Sequence, residues 1–153
     1  PDLTIRSTFI VGFPGETDEE FDDLLGFVRD TEFDHVGVFT YSHEEGTAAY
    51  ALADDVPARV KARRRDVLMR LQRDIVARRQ AGRVGERVRV LVDGPSPEHD
   101  LVMRGRLEGQ APEIDPLVYF TECDPSTLAA GALVEAEIVD ARGYDLLARP
   151  VAE

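Results

Sequence analysis

The sequence predicts two structural classes in one chain: an α/β segment shaped as part of a (β/α) barrel, then a long helix and a small all-β barrel of five strands, OB-like in kind. Three observations predict it. An apolar run, Thr8 to Val11, passes through Gly12-Phe13-Pro14-Gly15-Glu16-Thr17 into a helical pattern. Helical spacing returns from about residue 57 and is sustained to residue 80, and beyond residue 82 the period shortens to alternating runs separated by Gly, Pro, Asp and Ser turns. The chain is accordingly divided into residues 1–82 and 83–153.

Thr4 to Val11 reads as a strand from its β-branched and aromatic content. Thr17 with Glu20 three residues on is a capping-box pattern, and Asp18 and Glu19 sit where a helix N-terminus favours negative charge. The helix then runs to about Asp30, its buried stripe made by Phe21, Leu24, Leu25 and Val28. His35 to Tyr41 forms a second strand, and a strand–helix–strand unit of this length predicts a parallel pair.

Alternation places Ile5, Phe9 and Val11 on one face of the first strand and Arg6, Thr8 and Ile10 on the other. In the second strand Val36, Val38 and Thr40 oppose His35, Gly37, Phe39 and Tyr41. The β-branched set suits packing on helices. Arg6, Thr8, Gly37, Phe39 and Tyr41 suit either the ligand-bearing lumen of an incomplete barrel or, more plainly, a solvated strand start with core aromatics.

Asp55-Val56-Pro57 marks the start of the long helix, with Pro57 near its first turn and Gly82 as the C′ residue. Val60, Val67, Leu68, Leu71 and Ile75 keep helical spacing, and Arg63, Arg64, Arg65, Arg70, Arg73, Arg78 and Arg79 form the polar face. Such a face grips RNA or is simply solvated and paired with acidic neighbours. Beyond it, Arg87–Asp93, Leu101–Glu108, Leu117–Thr121, Leu133–Val139 and Tyr144–Val151 are five strand candidates, read as antiparallel.

Charge divides the chain the same way. Residues 1–58 carry 2 basic and 14 acidic groups, residues 59–82 carry 9 and 2, and residues 83–153 carry 7 and 14, for a net charge of −12. That balance argues against a sequence-independent hold on nucleic acid, which rests on Lys and Arg neutralising phosphates. The single cysteine, Cys123, leaves neither a disulfide framework nor a thiolate cluster for a metal, so no metal ligand and no catalytic residue is assigned. No apolar stretch is long enough to span a membrane, and a reducing cytoplasm is the expected compartment. The chain starts at Pro1 without methionine or a readable signal peptide, which suggests a fragment.

Gly12-Phe13-Pro14-Gly15-Glu16-Thr17, the acidic helix, Phe39-Thr40-Tyr41-Ser42, Glu45-Gly46-Thr47, the Arg-rich helix and the final barrel together resemble the methylthiotransferase branch of the radical S-adenosylmethionine enzymes. The final barrel resembles that branch's TRAM domain. Within the branch, Ala111-Pro112-Glu113-Ile114-Asp115, Val118-Tyr119 and Tyr144-Asp145-Leu146 resemble the RimO type, which methylthiolates an aspartate of small ribosomal subunit protein twelve.

The resemblance implies S-adenosylmethionine and [4Fe–4S] clusters as cofactors of a full-length protein, the cluster ligands being absent from these residues. It implies that this piece is inert alone and supplies a cofactor wall and a recognition barrel. The cofactor-wall residues would be Gly12, Pro14, Gly15, Glu16, Arg6, Thr8, Phe39 and Tyr41, with Gly12, Gly15 and Tyr41 bordering one cleft. Gly12 and Gly15 would let backbone approach the ligand, and the acids Glu16, Asp18 and Glu19 would tolerate a sulfonium. Glu16 has a second reading, as a partner only for backbone N–H groups at the helix start. On the barrel, Arg106, Glu113, Asp115 and Tyr119 would contact a basic ribosomal protein, Glu113 and Asp115 having a second reading as carboxylates that only shape their turn. The alternative is a tRNA-modifying or RNA-binding protein, favoured if Arg83, Arg87, Arg89, Arg104 and Arg106 make a positive stripe.

Overall fold

The computed structural model describes residues 3–151, the side chain of Asp100 excepted. The chain folds as two compact units, Pro1–Ile75 and Val76–Glu153.

In the first unit β1 (Arg6–Val11), α1 (Asp18–Thr31) and β2 (His35–Thr40) form a βαβ unit whose strands pair in parallel, with Thr8 opposite Gly37 and Ile10 opposite Phe39. The expected capping box is present: Thr17 Oγ1 accepts the Glu20 N–H, and the Glu20 carboxylate accepts the Thr17 N–H at 2.8 Å. The helix stops at Glu32, which turns left-handed and donates its N–H to the Val28 carbonyl. Long helix α2 (Ala58–Gly82) and α1 cover one sheet face, where Val11, Phe21, Val28, Phe33, Val38, Leu68 and Ile75 make the core. Fully burying a residue such as Val28 or Leu68 contributes about 1.5–3 kcal/mol.

The opposite face is open, as the alternation predicts. Ile10 is 58% and Phe39 63% exposed, so Phe39 is not a core aromatic. Two details differ from the sequence reading. Gly82 is the last helical residue rather than the left-handed cap, and the left-handed glycine is Gly85 at φ 90°. Arg64 is buried, so it does not belong to the solvated face of α2.

In the second unit β3 (Arg87–Ser96), β4 (His99–Arg106), β5 (Val118–Phe120), β6 (Leu133–Arg142) and β7 (Asp145–Pro150) close a barrel in the order β3-β4-β5-β7-β6. This is the strand order of an OB-like Greek key. The strands are not all antiparallel: β5 and β7 pair in parallel, Val118 opposite Leu146. That follows from β6 being inserted between them in sequence and placed on the far side of β7. Val90, Val92, Val118, Ile138, Leu146 and Ala148 point inward and are essentially inaccessible. Gly105 is required where β4 passes β3, since a Cβ there would run into the Leu91 carbonyl oxygen and the Val90 side chain. Among the described residues no helix is long and apolar enough to cross a membrane.

Candidate functional site

The chain leaves β1 at Val11 and turns at once. Pro14 and Gly15 occupy the central positions of a turn closed by the Glu16 N–H to Phe13 carbonyl bond at 2.9 Å, and Gly15 takes φ 81°, the residue pattern of a type II turn. Gly12, at φ 74°, is also left-handed. Three more N–H groups of the turn are already bonded within the chain: Gly12 N–H to Glu16 Oε2 at 2.9 Å, Gly15 N–H to Asp55 Oδ1 at 2.8 Å, and Thr17 N–H to Glu20. With these N–H groups taken, the turn is not a cradle for a phosphate.

The glycine at position 12 has a different cause from the one the sequence suggested. It is buried, and a Cβ on it would strike Cγ of Lys61, so the space there belongs to the lysine stem and not to a ligand. Gly15 meets nothing within 4 Å and faces open space. It lines a cleft with Glu16, Thr17, Asp18, Asp55, Val56, Pro57, Val60 and Arg64. Gly12 and Tyr41 are not on that cleft; they meet each other across Lys61, whose ammonium lies 4.9 Å over the Tyr41 ring.

Glu16 braces the turn. Its Oε1 accepts Arg64 Nη1 at 2.7 Å while Oε2 holds the Gly12 N–H, and Arg64 Nη2 reaches Asp18 Oδ1 at 2.8 Å. Of the expected acidic patch, Glu16 and Asp18 both pair with one guanidinium, Asp18 from an exposed position, and Glu19 is left exposed. Pro14 is half-buried beside them. Tyr41 donates its N–H to the Val11 carbonyl at 2.9 Å, which ties the carboxyl ends of β1 and β2 together, and its ring meets Phe13 edge-on at 5.3 Å. Thr8 and Phe39 lie on the open sheet face. Arg6 shares that face but opens β1, about 17 Å of strand from the turn.

Sequence reasoning missed Lys61 and Arg64. The signal was present, because stepping back from buried Leu68 by four and seven residues along the helix lands on Arg64 and Lys61. Lys61 is also the only lysine in the chain, against 17 arginines.

On the barrel, Arg106 pairs with Asp93 on the neighbouring strand. Asp115 is buried, and its Oδ2 accepts the Ala111 N–H at 2.6 Å, so it shapes its own loop instead of presenting a carboxylate to a partner. Glu113 is exposed, at φ 64°. Tyr119 lies opposite Arg104 on the outer face of β5. Burial raises its phenol pKa, and Asp145 and Glu98 add to the rise. The arginines do not form an unbroken positive stripe: Arg83 pairs with Glu86, Arg106 with Asp93, and Arg87 and Arg89 stand opposite Glu137 and Glu135. Cys123 is half-buried with its thiol pKa raised by burial, and the described residues contain no group of three His, Cys, Asp or Glu able to hold a metal.

The closed five-stranded barrel belongs to a known class: residues 84–151 match the TRAM domain family. Over nearly its whole length the chain is also similar to curated proteins named ribosomal protein uS12 methylthiotransferase RimO. It is 48% identical to that of Sorangium cellulosum over 96% of the chain and 45% identical to that of Koribacter versatilis over 97%. It is 46% identical to that of Syntrophotalea carbinolica over the full chain. The chain spans 30% to 33% of the length of these relatives. The similarity to proteins named RimO therefore runs from one end of the chain to the other and takes in the part that matches the TRAM domain.

Proposed function

We propose that this chain is the part of a radical S-adenosylmethionine methylthiotransferase that supplies one wall of the cofactor site and the substrate-recognition barrel, acting on an aspartate of ribosomal protein uS12 in the cytoplasm. The observation that carries the reading is the 42–48% identity to the RimO-named proteins over at least 95% of the chain. The βαβ unit would be two strands of a larger (β/α) barrel, its open face of Thr8, Ile10 and Phe39 directed toward the lumen.

The residues present fit S-adenosylmethionine in chemistry. The N–H groups of Gly12, Gly15, Glu16 and Thr17 are already bonded, so the turn lacks the donors that a phosphate would need, and the exposed Glu19 carboxylate nearby favours the sulfonium and amino groups of that molecule. Bound there, the cofactor would supply methyl and radical chemistry; Gly15, Pro14, Phe39 and Thr8 would hold it, with Tyr41 and Glu16 acting through the turn. The residues do not fit an iron–sulfur cluster, whose thiolate ligands would have to come from elsewhere in a longer protein.

The barrel favours a basic protein over nucleic acid, because its arginines alternate with carboxylates and its balance is 7 basic to 14 acidic residues. Complementary charge of this kind speeds encounter and sets register. The test uses the full-length enzyme with purified uS12 and with unmodified tRNA in parallel. Mass spectrometry should detect methylthioaspartate in uS12, and methylthiolation of tRNA alone would overturn the assignment.

A further inference from the structure

We propose that Lys61 is a positioning residue for the cofactor turn, a role that rests on reading that turn as a cofactor wall. Contacts to three residues converge on its side chain. The stem lies against Gly12, which is held at φ 74° with no room for a Cβ. The ammonium donates to the Tyr41 carbonyl at 3.4 Å and to Asp54 Oδ1 at 2.5 Å, and it sits over the Tyr41 ring. Gly12 follows the end of β1 and Tyr41 follows the end of β2, so one side chain from α2 fixes the spacing of the two strand ends that would carry the ligand.

The identity of the residue matters. The side chain is 8% exposed, a costly place for a charge unless it is paired, and Asp54 and the Tyr41 carbonyl supply the pairing. In a chain that otherwise uses arginine for its cations, a compact ammonium on a thin stem passes the Gly12 backbone where a planar guanidinium does not match the two acceptors. Arg64, one helical turn further on, fixes the other side of the same loop through Glu16. Arg64 holds the turn to itself and to α1, whereas Lys61 holds it to β2.

The test is made in the full-length enzyme. Lys61→Met keeps the stem and removes the ammonium; Lys61→Arg keeps the charge and changes its shape; Asp54→Asn weakens the pairing. Dissociation constants for S-adenosylmethionine are measured by calorimetry, and folding is followed by circular dichroism and thermal unfolding. Removing a hydrogen bond to a charged group corresponds to about a tenfold loss of affinity, and this is expected for Lys61→Met with the folded spectrum retained. Asp54→Asn should lower affinity in the wild-type background and change it little in the Lys61→Met background, the non-additivity of a shared contact. Lys61→Arg should fail to restore binding. Unchanged affinity in Lys61→Met, with Gly15→Val still impairing binding, would overturn the positioning role and leave the cofactor wall intact. If Gly15→Val, Phe39→Ala and Lys61→Met all leave affinity unchanged, the cofactor-wall reading itself falls and the proposal falls with it.

Discussion

Arg64 and Glu16 form an ion pair at 2.7 Å in which the arginine side chain is 6% exposed and the glutamate 14%, so the turn after β1 is held from α2 by a pair largely removed from water. Removing one member of such a pair leaves the other charged and uncompensated, which costs about 3–5 kcal/mol, whereas replacing both costs much less. Asp18, the second partner of Arg64, is 95% exposed and adds little. Arg64→Met is therefore expected to lower stability by about 3 kcal/mol in denaturant unfolding, and Arg64→Met with Glu16→Gln is expected to lose less than the sum of the single changes. Strict additivity would mean that the two side chains act separately.

Gly12 offers a second test of the same loop. Alanine there adopts a left-handed backbone, at about 1–2 kcal/mol, and pushes its Cβ into the Lys61 stem. Gly12→Ala should thus be more damaging than Gly15→Ala, where φ is similar and the surroundings are open. Shortening Lys61 to alanine should recover part of the Gly12→Ala loss. Equal thermal midpoints for Gly12→Ala and Gly15→Ala would exclude the packing explanation.

What the sequence revealed and what it concealed divides along local and tertiary lines. The Thr17/Glu20 box, the Phe21 to Val28 stripe and the strand beginning at Arg87 are local patterns, and each is found as read. The parallel pairing of β5 with β7 joins residues 28 apart, Val118 and Leu146, and no short-range signal specifies it. At the candidate site the turn itself was legible from Gly12, Pro14 and Gly15. Its supports were missed: Lys61 and Arg64 share the buried stripe of α2 with Leu68, but the groups they pair with, Asp54 and Glu16, are fixed only by the tertiary packing. For Asp115 the sequence left a partner-facing and a turn-shaping reading open, and its acceptor role to the Ala111 N–H depends on how that loop is buried.

The cap of α1 carries a pH dependence. The Thr17 N–H and hydroxyl hold the exposed Glu20 carboxyl below its ordinary range. The folded state therefore binds this proton less readily than the unfolded state. The stabilisation is complete above the ordinary glutamate range and is lost as pH falls through it to the lowered value. Thr17→Ala should cost about 1 kcal/mol at neutral pH and flatten the acid limb of the stability curve, read from unfolding midpoints across pH. A variant whose acid limb matched the wild type would rule out the cap as its source.

The barrel closes around Gly105. A methyl group there meets a backbone carbonyl of β3, which has no rotamer by which to yield, so Gly105→Ala is expected to cost about 2 kcal/mol or more. Gly131→Ala, with φ 86° and open space, serves as the reference and should cost only about 1 kcal/mol, for its backbone conformation. Thermal unfolding of the two variants checks the order, and a smaller loss at Gly105 would contradict the packing of β4 on β3.

The loop before β5 separates a structural carboxylate from an accessible one. Asp115 is buried and accepts the Ala111 N–H, so Asp115→Lys deletes an acceptor and places a cation where a carboxylate is held, at an expected loss of about 3 kcal/mol. Glu113 is exposed, and Glu113→Lys should leave the thermal midpoint within the small range of surface substitutions, about 0.5 kcal/mol. If the barrel meets a basic protein, the two changes also part in kinetics. Glu113→Lys should slow association at low salt and matter less at moderate salt, because an exposed charge steers encounter and is screened. Glu113→Gly should raise stability by relieving the left-handed backbone at φ 64° while losing the same steering. Association rates at two ionic strengths, measured beside thermal midpoints, decide the matter. Loss of the fold in Glu113→Lys, or an unchanged midpoint in Asp115→Lys, would reverse the roles assigned to these two carboxylates.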